Sequence, residues 1–208
     1  MILLLISRRQ ERKKLQSIHA LKKAFIQLIL ESGDSGAITV SEIADRADFN
    51  RSTFYFHYKD KNDLLEDLFH DAIKGVKESL IIPFQNKKQI SLSDVIPTTR
   101  LLFEHIEKNK NLFRALHAIP SSPSLYERLE QLYWSLFSEE MFLLKHDSIP
   151  DVDYELILSY QTNALLGLIK YWVQSDFKFS SNYMCDQMTM IILNRPADMV
   201  IMKRAGAM

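Results

Sequence analysis

The sequence predicts an all-α fold in four parts: a three-helix unit over residues 1–62, a connecting helix over 63–82, a larger helical unit over 83–195 and a tail over 196–208. Three observations carry this. Five glycines and six prolines in 208 residues are too few for a turn-dense β architecture and suit long helices. A chain of this length that is 47% apolar and 25% charged can bury one or two real cores. Apolar residues recur at steps of three and four in segment after segment, the spacing of one helix face. There is no internal repeat and no low-complexity tract.

The first predicted helix spans about 13–31, with Ile18, Leu21, Phe25, Leu28 and Ile29 on one face and Gly33 and Gly36 ending it. Thr39 followed by Glu42 is a capping box opening a short second helix, whose inner stripe is Val40, Ile43, Ala44 and Ala47. A break at Asp48, Phe49 and Asn50 leads to a third helix, where Phe54 and Tyr58 share a face and join Phe49 as core. Asp60 caps a fourth helix that carries Leu64, Leu65, Leu68, Ala72 and Val76 inward. Pro83 and the polar run 85–89 mark a boundary. Further helices are predicted over 94–108, 111–118, 124–145, 154–175 and 182–193, with Pro120, Pro123, Pro150 and Pro196 between or after them.

Several function classes are disfavoured. Residues 1–6 are apolar but lack a preceding basic stretch and a cleavage site, and no segment approaches the ~20 uncharged residues of a membrane span. A cytoplasmic protein without membrane association is the expectation. The single Cys185 permits no internal disulfide and reads as a small buried hydrophobe. The six histidines show no paired ligand spacing, and neither a phosphate loop nor a nucleophile elbow is present, so no enzyme, metal or cofactor is expected.

The formal net charge is zero, but its distribution is not even. Up to Lys61 there are eleven basic and seven acidic side chains, against fifteen and nineteen over the remaining 147 residues. A basic head on an acidic body suits a nucleic-acid binder, and it equally describes a solvated basic helix with no partner. The third helix tips the balance. Arg51, Ser52, Thr53, Tyr55, Phe56 and His57 crowd it with donors and flat apolar groups, the chemistry needed for phosphates, base edges and thymine methyls.

The run TVSEIADRADFNRSTFYFHYKDKNDLL, from Thr39, resembles the signature of TetR-type transcriptional regulators, and the likeness is strong over roughly the first 70 residues. It departs at Asp48, where the family usually places glycine. The resemblance implies that Arg51, Ser52, Thr53 and Phe56 face base edges, and that Tyr55, His57 and Lys61 hold phosphates, with Thr39 and Ser41 close to the backbone. For Tyr55 and His57, packing against the first helix is the competing reading.

Further on, NALLGLIKYWVQSDFKFSSNYM resembles a C-terminal subgroup of that family. There the last two long helices pair with those of a second copy, which implies a dimer interface at Ala164, Gly167, Leu168 and Tyr171, beside Leu165 and Trp172. A buried intrachain helix is the alternative. Phe103, Ile106, Phe113, Leu116, His117, Trp134 and Phe137 form an aromatic-rich stripe that lines an effector pocket or simply makes core; Phe103, Phe113, His117 and Trp134 are its pocket candidates. The expectation is a homodimeric repressor released from an inverted-repeat, double-stranded DNA operator by a small-molecule effector. The alternative is a co-activator or adaptor answering to a protein partner.

Overall fold

Between Ile2 and Ser32 no glycine or proline interrupts the chain, and the whole stretch is one helix, α1. The periodicity placed its start about eleven residues later. Residues 2–6 are uniformly apolar and carry no period to read, yet nothing in them breaks a helix. Gly33, at φ +70°, ends α1 by donating its N–H to Ile29 O. The structure, a computed structural model, describes residues 2–33, 35–84, 92–121, 123–140 and 153–194. Among these, the chain is helical throughout, with no strand.

Two short helices follow. In α2 (Val40–Arg46) the capping box is formed in full, Thr39 Oγ1 accepting from Glu42 N–H while Glu42 Oε2 accepts from Thr39 N–H at 2.7 Å. A turn then leads into α3 (Arg51–His57), capped by Asn50 Oδ1. The turn is a Schellman motif: Phe49 N–H donates to Ala44 O and Asp48 N–H to Asp45 O, with Asp48 at φ +59°. An aspartate therefore occupies the left-handed position that usually calls for glycine. Asp48→Gly is expected to hold or raise the melting temperature, whereas Asp48→Val should cost about 1–2 kcal/mol, since a β-branched residue clashes in that conformation. Thermal unfolding of the two variants decides this.

The long helix α4 (Lys61–Ile81) begins at Asp60, whose carboxylate accepts from Asn62 and Asp63 N–H, and gives way to a short 3₁₀ turn, Ile82–Phe84. Beyond come α5 (Leu92–Lys108), α6 (Lys110–Ala118), α7 (Leu125–Ser135), α8 (Tyr154–Gln174) and α9 (Ser181–Asn194). Of the helix predicted over 124–145, α7 is followed without a break by a π-helical segment, Leu136–Glu140, and 141–152 lie outside the described residues, as does the tail. Helix α4 packs against α5, α6 and α7, α1 against α6, α5 against α9, and α7 against α8. One continuous core runs from Leu21, Phe25 and Phe54 in the head, through Leu68 and Ala72 of α4, to Phe103, Phe113 and Trp172 in the body.

The α8–α9 turn places Asp176 and Phe177 both at φ +57°. Two non-glycine residues in that region are strained, and neighbours hold them there. Arg114 of α6 ion-pairs with Asp176 at 2.7 Å and lies over the Phe177 ring, while Trp172 Nε1–H donates to Phe179 O.

Candidate nucleic-acid interface

Helix α3 buries only Phe54 completely, and packs it in the head core with Tyr58 at its C-terminal cap. The opposite face is open. Arg51 and Ser52 are exposed, Tyr55 is 50% and Phe56 76% exposed. Phe56 stands edge-on to the His57 ring at 4.9 Å and leaves most of its own ring in solvent, where it can meet an apolar surface such as a thymine methyl. Asn50 Oδ1 organises the start of the helix, accepting from Thr53 N–H and from the Ser52 and Thr53 hydroxyls at 2.6 and 2.9 Å. With those hydrogens committed, the Ser52 and Thr53 hydroxyls are left as acceptors, Ser52 exposed and Thr53 half-buried.

Three of the expected phosphate-side groups are engaged within the chain. His57 turns inward, its Nε2 2.7 Å from Ser17 Oγ of α1, so the competing reading, packing against α1, is the one the fold adopts. Burial, reinforced by the nearby Lys14 charge, holds its imidazole below the ordinary value and favours the neutral ring. Lys61 is likewise not directed to a phosphate: its Nζ donates to the carbonyls of Ser35, Gly36 and Ile38, which uses all three ammonium hydrogens. The Thr39 hydroxyl is occupied by Glu42 on both its donor and acceptor sides. Ser41 is half-buried at the start of α2, and Tyr55 stays on the open face, its ring edge-on to Phe54.

Basic residues that the motif does not include are exposed on α1, and one of them reaches α3. Arg12, Lys13 and Lys14 are exposed on α1, one turn before Ser17, and Lys14 is close enough to His57 to act on its charge. The signal for them was in the charge run, not in the helix-turn-helix pattern.

The head is tied to α4 by polar contacts. Tyr58 OH donates to Asp67 at 2.7 Å, and Lys22 of α1 bridges Asp67 and Asp71 at 2.8 and 2.7 Å. Burial pushes Asp67 up, but the bonds from Lys22 and Tyr58 outweigh it and leave the carboxyl below its usual range. Arg128 of α7 joins α4 from the other side, bidentate to Glu66 and over the Phe69 ring.

In the body, Phe103 and Phe113 have no exposed surface: Phe103 meets Trp172 edge-on, and Phe113 meets His105. They are core in this conformation, the alternative that an aromatic stripe at helical spacing always carries. His117 keeps partial exposure, with Nδ1 3.2 Å from Tyr126 OH, and Trp134 lies in a surface groove of about 430 Å³ with Pro123, Glu127, Glu130 and Gln131. Helix α8 has two faces. Leu165, Ile169 and Trp172 are buried inside the chain, Leu168 is half-buried, and Ala164, Gly167 and Tyr171 are exposed.

Two family models match the chain. Residues 30–68 match the bacterial regulatory proteins of the tetR family, and residues 93–194 match the C-terminal region of transcriptional regulators of that family. The chain belongs to the TetR family. The first match covers α2, α3 and the start of α4, and the second covers α5 to α9, so both the reading head and the body of this TetR-family transcriptional regulator are accounted for. The family consists of non-enzymatic DNA-binding regulators. An uncharacterized HTH-type transcriptional regulator, YxbF, from Bacillus subtilis (strain 168) is 23% identical over 166 residues, 77% of this chain and 41% of its own length. The chain thus spans less than half of that relative. Among solved structures, the fatty acid degradation regulator FadR from Bacillus halodurans superposes with a TM-score of 0.61 at 16% identity, covering 86% of this chain and 95% of that one. The TetR family regulator PfmR from Thermus thermophilus gives 0.58 at 14% identity, covering 84% and 97%. At such identities the likeness is one of fold. Among the described residues, no helix of this TetR-family chain is long and apolar enough to cross a membrane, and no group of three His, Cys, Asp or Glu is placed to hold a metal ion.

Proposed function

We propose that this TetR-family regulator is a homodimeric repressor that binds an inverted-repeat operator through α3 and leaves it when a small molecule binds the body. The exposure of Arg51, Tyr55 and Phe56 on α3, away from the buried Phe54, carries the DNA part of this reading. Arg51, Ser52, Thr53 and Phe56 face base edges, while Tyr55, with Arg12, Lys13 and Lys14, takes the flanking phosphates. Repression and homodimerisation are typical of the family, which supports the sign and the stoichiometry.

The dimer surface in this reading is a stripe on α8. Leu156, Tyr160, Ala164, Gly167 and Tyr171 recur at steps of four, four, three and four, and Leu156, Tyr160 and Tyr171 are 66, 68 and 54% exposed in the single chain. Large apolar groups around an alanine and a glycine suit close helix approach, and so much exposed apolar surface calls for a cover. Leu168 lies at its margin.

An effector that reaches Phe103 or Phe113 must part the α5–α6 packing, and α4 packs on both helices. Binding would then favour a different placement of α4, which is how a ligand shifts DNA affinity without touching DNA. His117 and Trp134 are the two groups with surface to meet it first.

The experiment is quantitative footprinting on the chain's own upstream DNA, across a range of salt concentrations. Arg51→Ala is expected to lose about 1–3 kcal/mol on the operator and to relax preference at one or two base pairs, while neutralising Lys13 and Lys14 weakens all sequences alike and flattens the salt slope by roughly one per residue. Equal loss on operator and random DNA for Arg51→Ala would remove α3 from the base edges.

A further inference from the structure

Lys61 stands at the first position of α4, where a cation opposes the positive end of the helix dipole. Its ammonium is nevertheless held firmly. Nζ lies 3.1, 2.5 and 2.9 Å from the carbonyl oxygens of Ser35, Gly36 and Ile38, three acceptors that converge from the α1–α2 connection. Ile38 is buried and Thr39 is the N-cap of α2, so the segment Lys61 grips is the one that sets where α2 begins. The same cation also acts on Glu42, the reciprocal half of the capping box.

We propose that Lys61 is a positioning residue for DNA binding: it clamps the α1–α2 connection to α4, so that the head and the first turns of α4 move as one body. The other two head helices have their own links to the same part of α4, α1 through Lys22 to Asp67 and Asp71, and α3 through Tyr58 to Asp67. Lys61 supplies the missing third attachment. Any shift of α4 is then delivered to α2 and α3 without slack, and the angle at which α3 meets the groove follows the body. A lysine fits this task because its ammonium offers three divergent donors on a flexible stem, whereas a planar guanidinium cannot satisfy three carbonyls converging on one point.

The clamp rests on the reading that α3 enters DNA, and two measurements on the full chain separate the two. In the free protein, amide hydrogen exchange of the segment from Ser35 to Arg46 is expected to accelerate at least tenfold in both Lys61→Met and Lys61→Arg. On DNA, both variants are expected to lose operator affinity at least tenfold, to lose less on random sequence, and to keep the wild-type salt slope. A lysine holding a phosphate gives the opposite pattern: Lys61→Arg retains affinity, Lys61→Met drops the salt slope by about one, and exchange in the free protein is unchanged. That pattern overturns the clamp. Equal losses on operator and random DNA also overturn it, because they report a smaller folded fraction and not a misplaced α3. If the wild-type chain selects no operator, the DNA reading fails, and the exchange measurement still decides whether Lys61 holds the connection.

Discussion

Gly167→Glu is expected to give a folded monomer that no longer holds its operator. A Cβ added at Gly167 meets nothing within 4 Å among the described residues, and replacing a mid-helix glycine with glutamate improves intrinsic helix propensity, so the fold should survive. In a dimer sealed along Leu156, Tyr160, Ala164, Gly167 and Tyr171, the same carboxylate is buried without a partner, at a penalty of several kcal/mol. Joining two heads raises avidity by about 100- to 10,000-fold over one, so operator affinity should fall by about that range while the weak binding of a single head persists. Light scattering and gel-shift titration measure both. A dimer of normal operator affinity would move the interface off this stripe.

The second large effect lies where α4 meets α5. A Cβ built on Gly75 would overlap Cε1 and Nε2 of the His105 ring, so alanine cannot enter unless the ring leaves. The ring has little room, with Phe113 edge-on at 6.1 Å and Asn109 at 3.3 Å from Nδ1. Its Nε2 is buried without a hydrogen-bond partner among the described residues, and burial holds the imidazole below its usual value, with Glu78 opposing and Lys108 assisting. Gly75→Ala is expected to cost about 1–3 kcal/mol, the range for overpacking a filled core. In a His105→Ala background the obstacle is gone, and the same change should be neutral or gain up to about 1 kcal/mol from helix propensity. Denaturant titration of the four proteins closes the cycle; an additive result would mean the ring moves aside freely and the contact is not tight.

Helix α3 was legible because its determinants are local. Thr39 and Glu42, three residues apart, announce α2, and Phe54 and Tyr58, four apart, identify the buried face of α3 and so leave Arg51, Tyr55 and Phe56 on the other. Even the unusual Asp48 was visible as a departure, and its left-handed φ shows the turn keeping its geometry with a different residue. The start of α1 was not legible, because five consecutive apolar residues have no period. Nor was the two-faced nature of α8: Leu165 and Trp172 are buried within their own chain while Ala164 and Gly167 are exposed, yet the segment that carries all four is apolar but for Lys170.

Composition, helical spacing and one local motif were sufficient, without coordinates, for the all-α class, the order of the helices, the family and the face of α3 that looks outward. The order of the helices and the outward face of α3 depend on residues within about four positions of each other, where chain geometry alone decides which side chains share a face, and the family was legible in the continuous run from Thr39 to Leu65. Tertiary structure decided what the long polar side chains do. Lys61 grips backbone carbonyls 23 to 26 residues earlier, and His57 meets a serine 40 residues away. Phe103 closes on Trp172, 69 positions on, instead of lining an open pocket. A backbone carbonyl has no letter in the sequence, and a neutral histidine is written the same way as a charged one. Which donor finds which acceptor is settled only when packing brings distant segments together and burial makes an unpaired polar group expensive.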